Sequence, residues 1–179
     1  QTVSIASTTG FASSDFNLWP DFSRYVLLLL MFVGGCSGST AGGMKVSRFV
    51  ILLKVTWAEL RRTIHPRLVY SIKMGGRNVP PVVVGNVTRF FYLYMIVFST
   101  LTLLISLTGL SMLDSMGIIA ACMSSVGPAF GIVGPTATYA DVSTFGRLVV
   151  IAAMILGRLE IFTLLIIMRP DFWRVKRNW

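Results

Sequence analysis

Two four-residue stretches of this sequence have the composition of an oxygen-ligand site. Thr8-Thr9-Gly10-Phe11 and Ser125-Val126-Gly127-Pro128 each set hydroxyl and carbonyl oxygens beside a glycine. A dehydrated alkali cation needs such oxygens in place of its water shell, and glycine allows the backbone conformations that aim carbonyls at it. On this reading an alkali cation would be held at Thr8, Thr9, Gly10, Ser125, Val126 and Gly127. The bland alternative is a pair of ordinary glycine turns at helix ends. A third stretch is Gly34-Gly35-Cys36-Ser37-Gly38-Ser39-Thr40-Ala41-Gly42-Gly43, with five glycines in ten residues. It fails the phosphate-loop pattern, because Met44 separates Gly43 from Lys45 and an apolar run rather than a strand pattern precedes it. The fourth feature is Arg158, with Glu160 two positions on, inside an apolar run. A single His and two cysteines 86 positions apart form no metal or acid–base constellation. The chain therefore does not read as an enzyme, and nothing in it calls for a covalently bound cofactor.

The elements that would position these groups follow from composition. Of 179 residues, 54% are hydrophobic and 13% are charged, and the mean hydropathy is +0.74. A soluble domain carries about a quarter charged residues. This chain is thus read as an integral membrane protein, built from helices. It begins at Gln1 in mid-pattern, without an initiator Met or a signal peptide, and reads as a piece of a longer protein. Cys36 and Cys122 are expected as small buried residues.

Four charge-poor windows compete to cross a bilayer: Tyr25 to Met44, Phe90 to Leu113, Ser115 to Ala140, and Leu148 to Met168. The net charge of +9 is unevenly placed. Lys45 to Arg89 carries nine basic residues and one acid, and Arg169 to Trp179 carries four and one. The positive-inside rule makes both stretches cytoplasmic, so the charge surplus is no nucleic-acid footprint. Contact with anionic lipid or an acidic cytosolic partner would suit it equally.

One helix would then run inward from about Asp21 to Arg62, a second outward from Thr88 to Leu110, and a third inward from Thr144 to Met168. Both ends of Ser111 to Ser143 would lie outside. That stretch is too apolar for a surface loop, so it reads as a re-entrant hairpin, with a short helix from about Leu113 to Met123 and a Gly/Pro-rich return. Ser111 and Asp114 suit the start of that helix.

Aligning Gly10 with Gly127 places Thr8 on Ser125 and Thr9 on Val126, with an outer stretch and an inward helix after each glycine. The chain thus reads as a complete helix, pore loop and helix preceded by a unit lacking its first helix. Five glycines cannot hold a straight helix, so the first inward helix should break near mid-depth, below the glycine loops. The alternative is a glycine-rich packing face. Arg158 lies about 14 residues, or roughly 21 Å, along the last helix. A five-donor guanidinium at that depth could hold the loop's free carbonyls or set a barrier to cations. A bundle-stapling ion pair is the other reading. Glu160 lies about 200° around the helix and has no assigned role.

Ser7 to Phe11, the Gly34–Lys45 block, Ser125 to Pro128 and Gly157-Arg158-Leu159-Glu160-Ile161-Phe162-Thr163 together resemble the Trk/Ktr/HKT superfamily of potassium uptake proteins, the bacterial TrkH-like pore subunits most of all. The resemblance implies four pseudo-repeats of helix, pore loop and helix around one pore. Residues 1–87 would be the pore loop, broken inner helix and basic linker of the third repeat. Residues 88–179 would be the complete fourth repeat and its tail, at the C-terminal part of such a protein. Gly10 and Gly127 would be two of four filter glycines, Gly34–Gly43 the intramembrane gating loop, and Arg158 the pore arginine. Ser125 and Val126 depart from Thr-Thr and would supply fewer hydroxyls. The resemblance further implies a homodimer in the bacterial inner membrane that passes K⁺, with Na⁺ as a further candidate, as a channel or symporter. Any nucleotide would belong to a cytosolic regulatory subunit. The competing expectation is a membrane scaffold that docks a cytosolic partner and conducts nothing.

Overall fold

The computed structural model describes residues 1–65 and 71–158. Helices dominate: α1 (Thr2–Ala6), α2 (Asp21–Phe32), α3 (Val46–Ile64), α4 (Pro81–Ser106), α5 (Met112–Met123) and α6 (Thr144–Arg158). The only sheet among the described residues is a two-stranded hairpin, β1 (Lys73–Met74) with β2 (Arg77–Asn78). Its turn uses Gly75 and Gly76, both at positive φ (56° and 79°), as a type I′ turn demands.

The core is built around α5. It packs between α4 and α6 and also meets α2. Ile118, Ile119, Ala120, Ala121 and Met123 are all fully buried. A helix that is apolar all round belongs inside a bundle. At 12 residues it is about 18 Å long, too short to cross a hydrocarbon layer of about 30 Å. Its start matches expectation, since the Ser111 hydroxyl accepts from the Asp114 N–H at 3.1 Å.

The second helix departs from the expected span. It starts at Pro81, seven residues before Thr88, and runs 26 residues to Ser106. Pro80 and Pro81 explain the start, because proline's fixed φ and missing N–H suit a first helical turn. Among the described residues this is the one helix whose length and apolarity suffice to cross a membrane. The helix expected over Asp21 to Arg62 is interrupted, as its glycines require. Helix α2 stops at Phe32 and α3 begins at Val46. The intervening segment closes on itself: Gly34 N–H donates to the Met44 carbonyl (2.8 Å) and Met44 N–H to Phe32 (3.1 Å), around a parallel Val33–Met44 bridge. Arg48 on α3 stands 4.2 Å from the centroid of the Phe90 ring on α4. Helix α6 is described as far as Arg158. The rest of its expected span, Glu160 and the basic tail lie outside the described residues.

Candidate functional site

The two glycine loops share one backbone geometry. After α1, Thr8 N–H donates to the Ile5 carbonyl (3.0 Å) and Thr9 N–H to Ser4 (2.9 Å). After α5, Ser125 N–H donates to Cys122 (3.1 Å) and Val126 N–H to Ala121 (2.9 Å). Each residue in the second set lies 117 positions after its counterpart. Both patterns are Schellman helix ends, which place the residue after the cap in the left-handed region. Glycine is the usual occupant there. Here the residues are Thr8 (φ 54°) and Ser125 (φ 57°), the only non-glycine residues at positive φ among those described. A β-branched residue in that region is strained, and such strain concentrates at functional sites. Gly10 (φ 79°) and Gly127 (φ 101°) follow two positions later.

The loops lie against each other. A Cβ built on Gly10 would overlap the Val126 carbonyl oxygen and stand 3.1 Å from Pro128 Cδ, whereas one built on Gly127 would meet open space. The hydroxyls near them are partly engaged. Thr9 Oγ1 lies 2.7 Å from Ser7 Oγ, and Thr8 Oγ1 accepts from the Gly42 N–H at 3.1 Å. The oxygens these loops offer are thus mainly backbone carbonyls, with fewer free hydroxyls than the sequence suggests. Ser4 Oγ donates to the Phe11 carbonyl at 2.6 Å, and Tyr139 Oη to the Gly127 carbonyl at 2.8 Å.

The Gly34–Gly43 segment sits directly against both loops. Besides the Gly42–Thr8 bond, a Cβ on Gly42 would overlap the Ser124 carbonyl oxygen, so only glycine fits there. Gly34 is similarly pressed on the Gly42 carbonyl. Three successive carbonyls of the segment accept from cations. Lys45 Nζ reaches Ser39 (2.5 Å) and Ala41 (2.7 Å), and Arg158 Nη1 reaches Thr40 (2.8 Å). The Arg158 contact joins residues 118 apart in sequence. Gly157 makes it reachable, because a Cβ there would overlap the Met123 carbonyl oxygen and hold α6 away from the end of α5. One expectation is corrected: Cys122 is buried, but Cys36 is exposed, because it rides on the irregular segment rather than inside a helix. Ser37 faces Ser47 at 3.1 Å, and Gly38 (φ 89°) has open space around it.

Three residues outside the expected set help hold this arrangement. Lys45 has a sequence signal, since it closes the glycine block. Tyr139 and Asn17 have none, because their partners are distant backbone groups. Asn17 Nδ2 donates to the Gly131 carbonyl (3.3 Å) and its Oδ1 accepts from Gly131 N–H (3.0 Å), clasping the segment after one loop to that after the other. Phe16 and Phe130 meet edge to face beside it, with centroids 5.5 Å apart. Asn17→Ala would strand the Gly131 N–H, while the Gly131 carbonyl keeps the Gly134 N–H at 3.2 Å. We expect it to cost about 1–3 kcal/mol, read as a lower Tm of the purified full-length protein; an unchanged Tm would show that the clasp carries no load.

Among the described residues no three His, Cys, Asp or Glu side chains converge as a metal-ligand set. The sequence profile of a family described as TrkH, cation transport protein, matches residues 1–174. The chain belongs to the TrkH family. The Trk system potassium uptake protein TrkH of Vibrio parahaemolyticus is 45% identical over 174 residues, which cover 97% of this chain and 36% of that protein. TrkH of Escherichia coli K12 is 40% identical over the same share of each. TrkG of Escherichia coli K12 is 36% identical over 171 residues, covering 96% of this chain and 35% of the relative. The crystal structure of the potassium transporter TrkH from Vibrio parahaemolyticus superposes with a TM-score of 0.86 at 44% identity, covering 95% of this chain and 36% of that one. The chain spans about a third of the length of these TrkH relatives. They are transport proteins of the membrane, not enzymes, and the mostly helical fold of this chain matches theirs.

Proposed function

We propose that this chain forms part of a pore that carries K⁺ across a bacterial inner membrane. In this reading Thr8–Phe11 and Ser125–Pro128 are two walls of its selectivity filter, and Gly34–Gly43 is a gate closed by Arg158. The observation that carries the reading is the three-way junction at Gly42, where the glycine segment touches Thr8 of one loop and Ser124 at the foot of the other. A plug on an ion path must sit there. The names of the relatives support potassium as the ion.

The mechanism follows from charge and geometry. Backbone carbonyls held by Schellman turns replace the water shell of a dehydrated cation. Below them the freed carbonyls of the broken helix would attract the same cation. Three of them are already taken by Lys45 and Arg158. Those fixed positive charges also repel a mobile cation at low dielectric. Opening then means withdrawing the segment from Arg158 and Lys45. The basic residues of Lys45 to Arg89 face the cytoplasm in this topology. There they suit anionic lipid, and the family resemblance extends the proposal to a cytosolic nucleotide-binding regulator and a homodimeric working form.

Rubidium uptake into proteoliposomes by the complete protein tests the reading. Saturable uptake that K⁺ competes for better than Na⁺ is expected, and absence of cation flux would favour a non-conducting scaffold. Gly157→Leu should reproduce the effect of losing Arg158, because it pushes α6 off the Met123 carbonyl. A Gly157→Leu protein with wild-type flux would separate Arg158 from the gate.

A further inference from the structure

We propose that Tyr139 is a positioning residue that sets the K⁺ preference of the 125–128 loop by fixing the Gly127 carbonyl. The proposal rests on the reading of that loop as a filter wall. Tyr139 lies in the outer 3₁₀ turn at Tyr139–Asp141, and its Oη donates to the Gly127 carbonyl at 2.8 Å. The same oxygen lies 3.3 Å from Cys122 Sγ, in the last turn of α5. The single phenolic proton is used on the carbonyl, so the thiol donates to the phenol. The three groups then form a chain from Cys122 S–H through Tyr139 O–H to Gly127 C=O, in which each bond polarises the next.

The other loop is braced differently. There the hydroxyl comes from within the short helix, Ser4 to the Phe11 carbonyl at 2.6 Å. The position 117 residues after Ser4 is Ala121, which has no hydroxyl to give. Tyr139 supplies the donor from outside the helix and applies it one carbonyl earlier. Gly127 has φ 101° and open space where a Cβ would stand, so no side chain packs on that face of it. A carbonyl has two lone pairs. Tyr139 holds one, which fixes the plane in which the other meets a cation.

The test is rubidium uptake with Na⁺ competition by the complete protein, comparing Tyr139→Phe and Gly127→Ala, with Tm recorded for each. Tyr139→Phe removes one oxygen. We expect its preference for Rb⁺ over Na⁺ to fall about three- to tenfold, with half-saturation rising more than the maximum rate falls. Cys122→Ala should shift in the same direction by less. An unchanged preference in Tyr139→Phe beside a lost one in Gly127→Ala would overturn the role of Tyr139 and leave the filter reading intact. Unchanged preference in both would overturn the filter reading and the proposal with it. A fall in maximum rate alone, or a Tyr139→Phe protein that does not fold, would make the hydroxyl structural and equally overturn the proposal.

Discussion

Gly10→Ala is expected to abolish most of the discrimination between K⁺ and Na⁺. Two costs coincide at this position. An alanine would have to hold φ 79°, which costs an L-residue roughly 1–2 kcal/mol. Its Cβ would also overlap the Val126 carbonyl oxygen, which belongs to the facing loop. Neither atom can move without disturbing carbonyls that the proposed filter needs. Since 1.4 kcal/mol is a factor of ten, a tenfold or greater loss of K⁺ preference is expected. It would be measured as the ratio of K⁺ to Na⁺ inhibition of rubidium uptake. Gly127→Ala should act through φ alone, because its Cβ would enter open space. Its effect should therefore be the smaller of the two. Gly10→Ala with wild-type selectivity would remove the first loop from the ion path.

Arg158→Gln is expected to raise cation flux. The guanidinium bond to the Thr40 carbonyl is charge-assisted, and such bonds contribute about 1.5–3 kcal/mol. Losing that from the latched arrangement would shift its equilibrium with an open one by roughly 10- to 150-fold. Lys45→Met should act in the same direction, because it frees the carbonyls of Ser39 and Ala41. The double variant should exceed either single one. Arg158→Lys should be intermediate, since an ammonium keeps the charge but not the planar fork. Initial rates of rubidium uptake at fixed protein density measure this series. Equal rates across all four would show that the segment is not latched by these cations.

Much of this arrangement was legible in residue types. Contiguous glycines demand a break in the helix expected over Asp21 to Arg62, and it falls between Phe32 and Val46. Ser111 and Asp114 marked the start of α5. Other parts depended on signals that charge windows do not carry. Arg89 marks the edge of the apolar stretch and sets the expected start of α4 at Thr88, whereas the helix extends N-terminally to Pro81. An apolar window reports what a membrane would cover, and a helix can extend past it. The hairpin at Gly75–Gly76 has a turn signal that a search for membrane spans passes over. Exposure of Cys36 followed from a segment with no helical face to bury it. In the site, a short alignment pairs Thr8 with Ser125, and the apolar run around Arg158 singles that residue out. Lys45 closes the glycine block and counts toward the basic stretch that follows it. Its reach to two carbonyls depends on the closure between Val33 and Met44. Asn17 and Tyr139 act on backbone groups 114 and 12 residues away, and their types alone give no hint of it.

In the proposed pore a permeant cation is held between the Thr8–Phe11 and Ser125–Pro128 loops, above the Gly34–Gly43 segment. Anomalous diffraction from crystals of the complete protein grown in rubidium tests it most directly. A rubidium peak is expected within coordinating distance of carbonyls from both loops, on the side of Gly42 away from Arg158. Well-ordered loops with no peak between them, and rubidium bound elsewhere in the protein, would contradict it.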